Sequence, residues 1–203
     1  LGGIAKNVLL LTSETYNKHI HPKDKSNRTI FGDAAAACLV SNEGWAEIGN
    51  FSLGTDGSGA DNLMVKTGGM RYKEKANDLT FDENENPASS DYLYMNGSEI
   101  LSFTLEAVPL LVADTLQKNS MQQADIDLFV FHQANKYILN FLRKKIKIEE
   151  EKFYYYIEKV GNTVSSTIPI ALYEAKKENK LTGNILLAGF GVGYSWGGVI
   201  LKI

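Results

Sequence analysis

The pattern of apolar and polar positions divides the chain into short strand-sized runs, one long irregular stretch, and a closing third that alternates between two periods. Residues 6–12 (KNVLLLT) form a continuous aliphatic run with β-branched content, which predicts a buried strand. A polar loop with Pro22, Asp24, Ser26 and Asn27 follows. Residues 33–40 (DAAAACLV) are rich in alanine, a helix former by propensity. Gly32 before them and Ser41-Asn42-Glu43-Gly44 behind them leave only a strand-sized unit, so the prediction is a strand packed closely against its neighbours. Residues 45–53 (WAEIGNFSL) predict another strand.

Residues 54–96 lose this regularity. They carry Gly54, Gly57, Gly59, Gly68 and Gly69 and an acidic, asparagine-rich run at 82–86, and they predict a long irregular excursion, either a functional cover or a surface insertion. A long helix is predicted next. Asn96 can cap it, with Glu99 three residues on, and Leu101, Leu105, Val108, Val112 and Leu116 share one face. Pro109 should kink this helix or begin a second segment.

Beyond residue 125 the predicted order is strand 126–131, helix 135–147, strand 153–160, helix 165–179 and strands 184–188 and 195–203. Pro169 falls in the first turn of the second helix. This alternation argues for an α/β layered sheet. An internal echo accompanies it: Lys6-Asn7-Val8-Leu9-Leu10-Leu11 resembles Gly183-Asn184-Ile185-Leu186-Leu187-Ala188, and a strand of small residues follows each. The second copy has a full strand-helix-strand-helix unit before it and the first has none, the expected pattern of a duplicated unit whose first copy is truncated.

Composition adds limits. The chain has 203 residues, is 44% hydrophobic and has a net charge of -3, so bulk charge gives nucleic-acid binding no support. No apolar run approaches the ~20 residues that span a bilayer, and no secretory signal is recognisable at the start. The single cysteine, Cys38, precludes an internal disulfide and points to a reducing cytoplasm.

Candidate chemistry collects where α/β sheets place ligands, at the carboxyl ends of strands. His132 follows the strand 126–131, Asn162 follows the strand expected at 153–160, and the loop Gly189-Phe190-Gly191-Val192-Gly193 follows 184–188. An imidazole, a carboxamide and bare backbone N–H groups can all donate hydrogen bonds, a set suited to an oxyanion or enolate. His19, His21 and His132 are too scattered for a metal site, and His19 and His21 read as surface residues. Singly, each feature has a structural alternative: His132 as a satisfied structural histidine, Gly161-Asn162 as a turn, the glycine loop as a tight bend.

The joint order of these pieces resembles the 3-oxoacyl-(acyl-carrier-protein) synthase III family. It runs His132-Gln133-Ala134-Asn135, then Gly161-Asn162-Thr163, then Phe190-Gly191-Val192-Gly193-Tyr194-Ser195-Trp196-Gly197. Phe31-Gly32-Asp33, Gly54-Thr55-Asp56-Gly57-Ser58-Gly59 and Tyr94-Met95-Asn96-Gly97 extend the likeness over nearly the whole chain. The resemblance implies a thiolase-like α/β/α fold. Residues 1–96 would be the remnant of an N-terminal half plus a covering loop, and 97–203 a complete C-terminal half.

It also implies decarboxylative condensation of an acyl-CoA primer with malonyl-acyl carrier protein, by a cytoplasmic homodimer with no cofactor, metal or membrane partner. His132 and Asn162 would stabilise the enolate. Backbone N–H groups of Gly191, Val192 and Gly193 would hold the oxyanion, Asn135 would lie near the pantetheine arm, and Phe31 would border the acyl pocket. Cys38 lies inside a strand and reads as a buried structural thiol, so the nucleophilic cysteine is expected upstream of Leu1 and residues 1–203 are expected to be inactive alone. The basic run Arg143, Lys144, Lys145 and Lys147, with Lys136 and Tyr137 after the histidine motif, could dock an acidic carrier or simply be a solvated helix face. Two alternatives stay open: an acyltransferase of secondary metabolism or specialised lipid assembly, and a non-catalytic thiolase-fold partner subunit.

Overall fold

The computed structural model describes residues 4–203. The first two elements, β1 (Asn7–Glu14) and β2 (Ala34–Ser41), pair antiparallel over eight positions, from Asn7 with Ser41 to Glu14 with Ala34. The strands form as the sequence predicts, but β1 is not buried: Val8, Leu9, Leu10 and Leu11 are at least half exposed. An aliphatic run fits a strand covered on both faces; here residues 165 and 166 reach β1 at Glu14 and Thr12, and the run 8–11 stays exposed. Cys38, opposite Leu10, is half-buried rather than buried.

The strand expected at 45–53 is two pieces, β3 (Glu47–Ile48) and β4 (Ser52–Thr55), which pair with the same neighbouring strand. The interruption has a local cause. The Asn119 side chain inserts between them, accepting from Asn50 N at 2.8 Å and donating to Asn50 O at 2.9 Å. The excursion is irregular, as expected, with two small ribbons: β5 (Leu63–Met64) with β8 (Tyr94–Met95), and β6 (Thr80–Phe81) with β7 (Pro87–Ala88). Asp91 anchors it by accepting from Ala76 N at 2.7 Å, Asn77 N at 2.9 Å and the Thr67 hydroxyl. His19 is exposed, whereas His21 is half-buried against Tyr92 and Phe81.

Helix α1 (Gly97–Lys118) starts at Asn96, whose Oδ1 accepts from Glu99 N, and runs unbroken through Pro109. Then come β9 (Leu128–Phe131), α2 (Lys136–Ile146), the single turn α3 (Ile157–Val160), α4 (Thr167–Lys177), β10 (Asn184–Gly191) and β11 (Ser195–Lys202). The predicted strand 153–160 is absent. Only Phe153 bridges β9, and the buried side chain of Gln133 accepts from Tyr156 N and Ile157 N, bending the segment into α3.

The sheet runs β3-β11-β10-β9, with β9 parallel and β11 antiparallel to β10. β9 shows why this is a layered fold. Phe129 and Phe131 face α1 and α2 in one core with Val108, Leu111, Leu139 and Leu142, while Leu128 and Val130 face Ala171 and Ala175 of α4 in another. Period-two alternation with both faces apolar thus sandwiches the sheet between helices, an α/β/α arrangement. No helix among the described residues is long and apolar enough to cross a membrane.

Candidate active site

Three chain segments converge at the carboxyl end of the sheet. β9 delivers His132, whose N–H donates to Ala188 O of β10 at 2.8 Å. The His132 ring meets Phe190, at the end of β10, edge to face at 5.4 Å. Its Nδ1 shares a 2.7 Å hydrogen bond with the Thr167 hydroxyl at the start of α4. Thr167 Oγ1 lies 3.0 Å from Val164 O, and Val164 N donates to Asn162 Oδ1 at 2.9 Å. His132 and Asn162 therefore belong to one hydrogen-bonded chain, joined through residues 164 and 167.

Part of the His132 surface reaches solvent, but the protein packed around the ring pushes its pKa down to about 4, opposed by a hydrogen bond to the Val164 backbone. Removing the ring from water disfavours the imidazolium, so the side chain is neutral at pH 7. The carboxamide of Asn162 is oriented as well as buried. Because Oδ1 accepts from Val164 N, the two Nδ2 protons are left to donate elsewhere.

Asn162 is held from the other hairpin region. Its backbone N–H donates to Ile30 O at 2.8 Å, and Gly32 N donates to its carbonyl at 3.0 Å, a parallel bridge that brings Phe31 alongside. Gly32 is needed for this approach, since a Cβ there would sit 2.0 Å from Val160 O. Phe31 is buried and stacks on Tyr16 with ring centroids 4.9 Å apart.

The turn after β10 lies between Gly191 and Ser195, which pair across the hairpin, and it exposes the Val192 side chain. Gly193 has φ +137, a conformation that side chains rarely adopt. The excursion is tied to this turn: Asp56 N donates to Tyr194 O at 2.8 Å, and Asn62 Nδ2 donates to the Tyr194 hydroxyl at 2.6 Å. Asn135 caps α2, with Oδ1 accepting from Ile138 N at 2.8 Å, so half its side chain has a structural task.

The basic groups of α2 are also partly occupied. Lys136 pairs with Glu158, Arg143 holds Glu150 and the Tyr155 hydroxyl, and Lys145 donates to Leu105 O. Burial pushes the Cys38 thiol up, the opposite of activation. Gln133 and Gly32 stand in the quoted motifs but the sequence assigned them no role, and Thr167 stands in none of them. Each acts through a contact with a distant or turned segment.

Comparisons with known proteins point to one family. A model described as 3-oxoacyl-[acyl-carrier-protein (ACP)] synthase III C terminal matches residues 116–203, and one described as 3-oxoacyl-[acyl-carrier-protein (ACP)] synthase III matches residues 2–57. The chain is 32% identical over 202 residues to a beta-ketoacyl-[acyl-carrier-protein] synthase III of Clostridium tetani, covering 98% of this chain and 60% of that protein. The corresponding protein of Clostridioides difficile is 34% identical, with the same shares covered. A crystal structure of a 3-oxoacyl-(acyl-carrier-protein) synthase III matches with a TM-score of 0.93 and 45% identity, over 99% of this chain and 61% of that one. The chain thus spans about three fifths of the length of the relatives it matches. With two models of one family matching most of its length and the same fold in a solved relative, the chain belongs to the 3-oxoacyl-[acyl-carrier-protein] synthase III family.

Proposed function

We propose that, in the intact protein, this chain supplies the decarboxylating site of a condensation between an acyl-CoA primer and malonyl-acyl carrier protein. The observation that supports this most is the orientation of Asn162: Val164 N occupies Oδ1, leaving Nδ2 as a donor on the same hydrogen-bonded chain as a neutral His132. In this reading Nδ2 of Asn162 and Nε2 of His132 donate to the malonyl thioester oxygen. The bond to the carboxylate breaks, CO2 leaves with neither proton nor cofactor required, and the electron pair becomes an enolate held by the two donors. The enolate carbon then attacks the acyl thioester, whose carbonyl oxygen is received by backbone N–H groups of residues 191–193, and the thiolate departs.

The acyl group is read as resting on a cysteine elsewhere in the intact protein. Cys38, the one cysteine of this sequence, sits within β2 with its thiol made less acidic by burial. Asn135 and Phe31 are read as bordering the pantetheine arm and the acyl pocket, and the carrier protein and acyl-CoA as the partners of a cytoplasmic homodimer.

The test uses the intact protein with acetyl-CoA and malonyl-acyl carrier protein. His132→Ala should lower malonyl decarboxylation by about 100- to 1,000-fold while leaving self-acylation largely intact. Decarboxylation at an undiminished rate would overturn the reading.

A further inference from the structure

A histidine that donates to an enolate must carry its proton on the nitrogen facing the substrate, and which nitrogen is protonated depends on the partner of the other. Two groups beside the His132 ring bear on this. The Thr167 hydroxyl lies 2.7 Å away on a residue that is 2% exposed. The Val164 carbonyl lies near enough to accept a proton from the ring. These two groups pull in opposite directions. A carbonyl only accepts, so it draws the proton onto Nδ1 and leaves Nε2 a bare acceptor. A hydroxyl can donate, so it can satisfy the Nδ1 lone pair and leave the proton on Nε2.

The Thr167 hydroxyl lies 2.7 Å from Nδ1 and 3.0 Å from Val164 O, so its one proton can go to either. Val164 O already accepts the Thr167 backbone N–H, which makes it the weaker claimant, and the nearer ring nitrogen takes the hydroxyl proton. We propose that Thr167 is a positioning residue for His132, its hydroxyl donating to Nδ1 and so holding the imidazole in the tautomer whose Nε2 carries the proton. This rests on the donor role given to His132 above. It adds a residue of α4 that touches no reacting atom but decides whether His132 can stabilise negative charge at all.

The arrangement makes opposite demands on two conservative replacements. Thr167→Ser keeps the hydroxyl. Thr167→Val keeps the shape and removes the hydroxyl that meets Nδ1, so that nitrogen loses its donor and the proton should move to it. The experiment is long-range 1H–15N NMR of the His132 ring in the intact protein, paired with malonyl decarboxylation kinetics.

The expected result is an Nε2–H ring in the wild type and in Thr167→Ser, and an Nδ1–H ring in Thr167→Val, whose kcat falls by about 100-fold with little change in KM. A wild-type ring protonated on Nδ1 overturns the proposal without any variant, and so does an Nε2–H ring in Thr167→Val. If Thr167→Val moves the proton but decarboxylation is undiminished, control of the tautomer by Thr167 is upheld and the donor role of His132 falls instead.

Discussion

His132 sets a pH dependence that belongs to one residue. Its folded-state pKa is about 4, against about 6.5 for an unperturbed imidazole. Between those values the unfolded chain binds more protons at this position than the native one, so stability rises with pH through the window and is lost as pH falls from 6.5 toward 4. The difference amounts to roughly 3 kcal/mol at most. Urea unfolding of wild type and His132→Gln across that window should show the steeper acid loss in the wild type. Equal slopes would mean that the ring is not held neutral by its surroundings.

At this same scale, His132 and Asn162 were legible because each sits at a strand or turn end in a recognisable order. Thr167 was not. A threonine at a helix start reads as ordinary helix chemistry, and its partner lies 35 residues away in sequence.

Helix α1 shows how an element can contradict a local rule by recruiting a neighbour. Pro109 has no N–H, so the carbonyl four residues earlier, Leu105 O, loses its helical partner. Lys145 of α2 donates its ammonium to that carbonyl at 2.7 Å. The helix continues where a break was expected because the orphaned acceptor is met from outside, and part of the basic run on α2 thereby has a structural use. Pro109→Ala would restore the internal bond. In a double-mutant cycle, Lys145→Met should therefore cost about 1 kcal/mol when Pro109 is present and close to nothing in the Pro109→Ala background. Additive effects in chemical denaturation would refute the coupling.

Other elements divide along similar lines. β9, β10 and β11 were readable because both sheet faces are covered by helices of this chain. The aromatic run 153–160 has strand propensity, but the amide of Gln133 captures its backbone and converts it to a turn of helix.

Over the whole molecule, the β1–β2 and β10–β11 hairpins share an eight-pair antiparallel register and differ in cover. The second is packed into both cores, while the first presents Val8, Leu9, Leu10, Leu11 and Leu39 to solvent. This explains why the sequence predicted burial wrongly at 6–12: the periodicity records what a strand can pack against, and burial requires that the packing partner be there. Leu9, Leu11 and Leu39 share one face of this ribbon, and an exposed apolar patch of this kind promotes association. The 203-residue chain by itself should bind a hydrophobic dye such as ANS strongly, and Leu9→Ser with Leu11→Ser should weaken that binding. Weak binding by the unaltered chain would show that this surface is covered in solution.

The bridge between residues 30–32 and Asn162 carries a consequence for how such a protein can change over time. The residue whose carboxamide is proposed to steady the enolate stands between α3 and α4, and the backbone that grips its main chain comes from the connection between β1 and β2, far back along the sequence. Neither region is at liberty to drift alone. A swap at Gly32 would push apart the backbone beside Asn162 and so reach both folding and turnover, and tolerated changes on the two sides of that seam should arise in matched pairs.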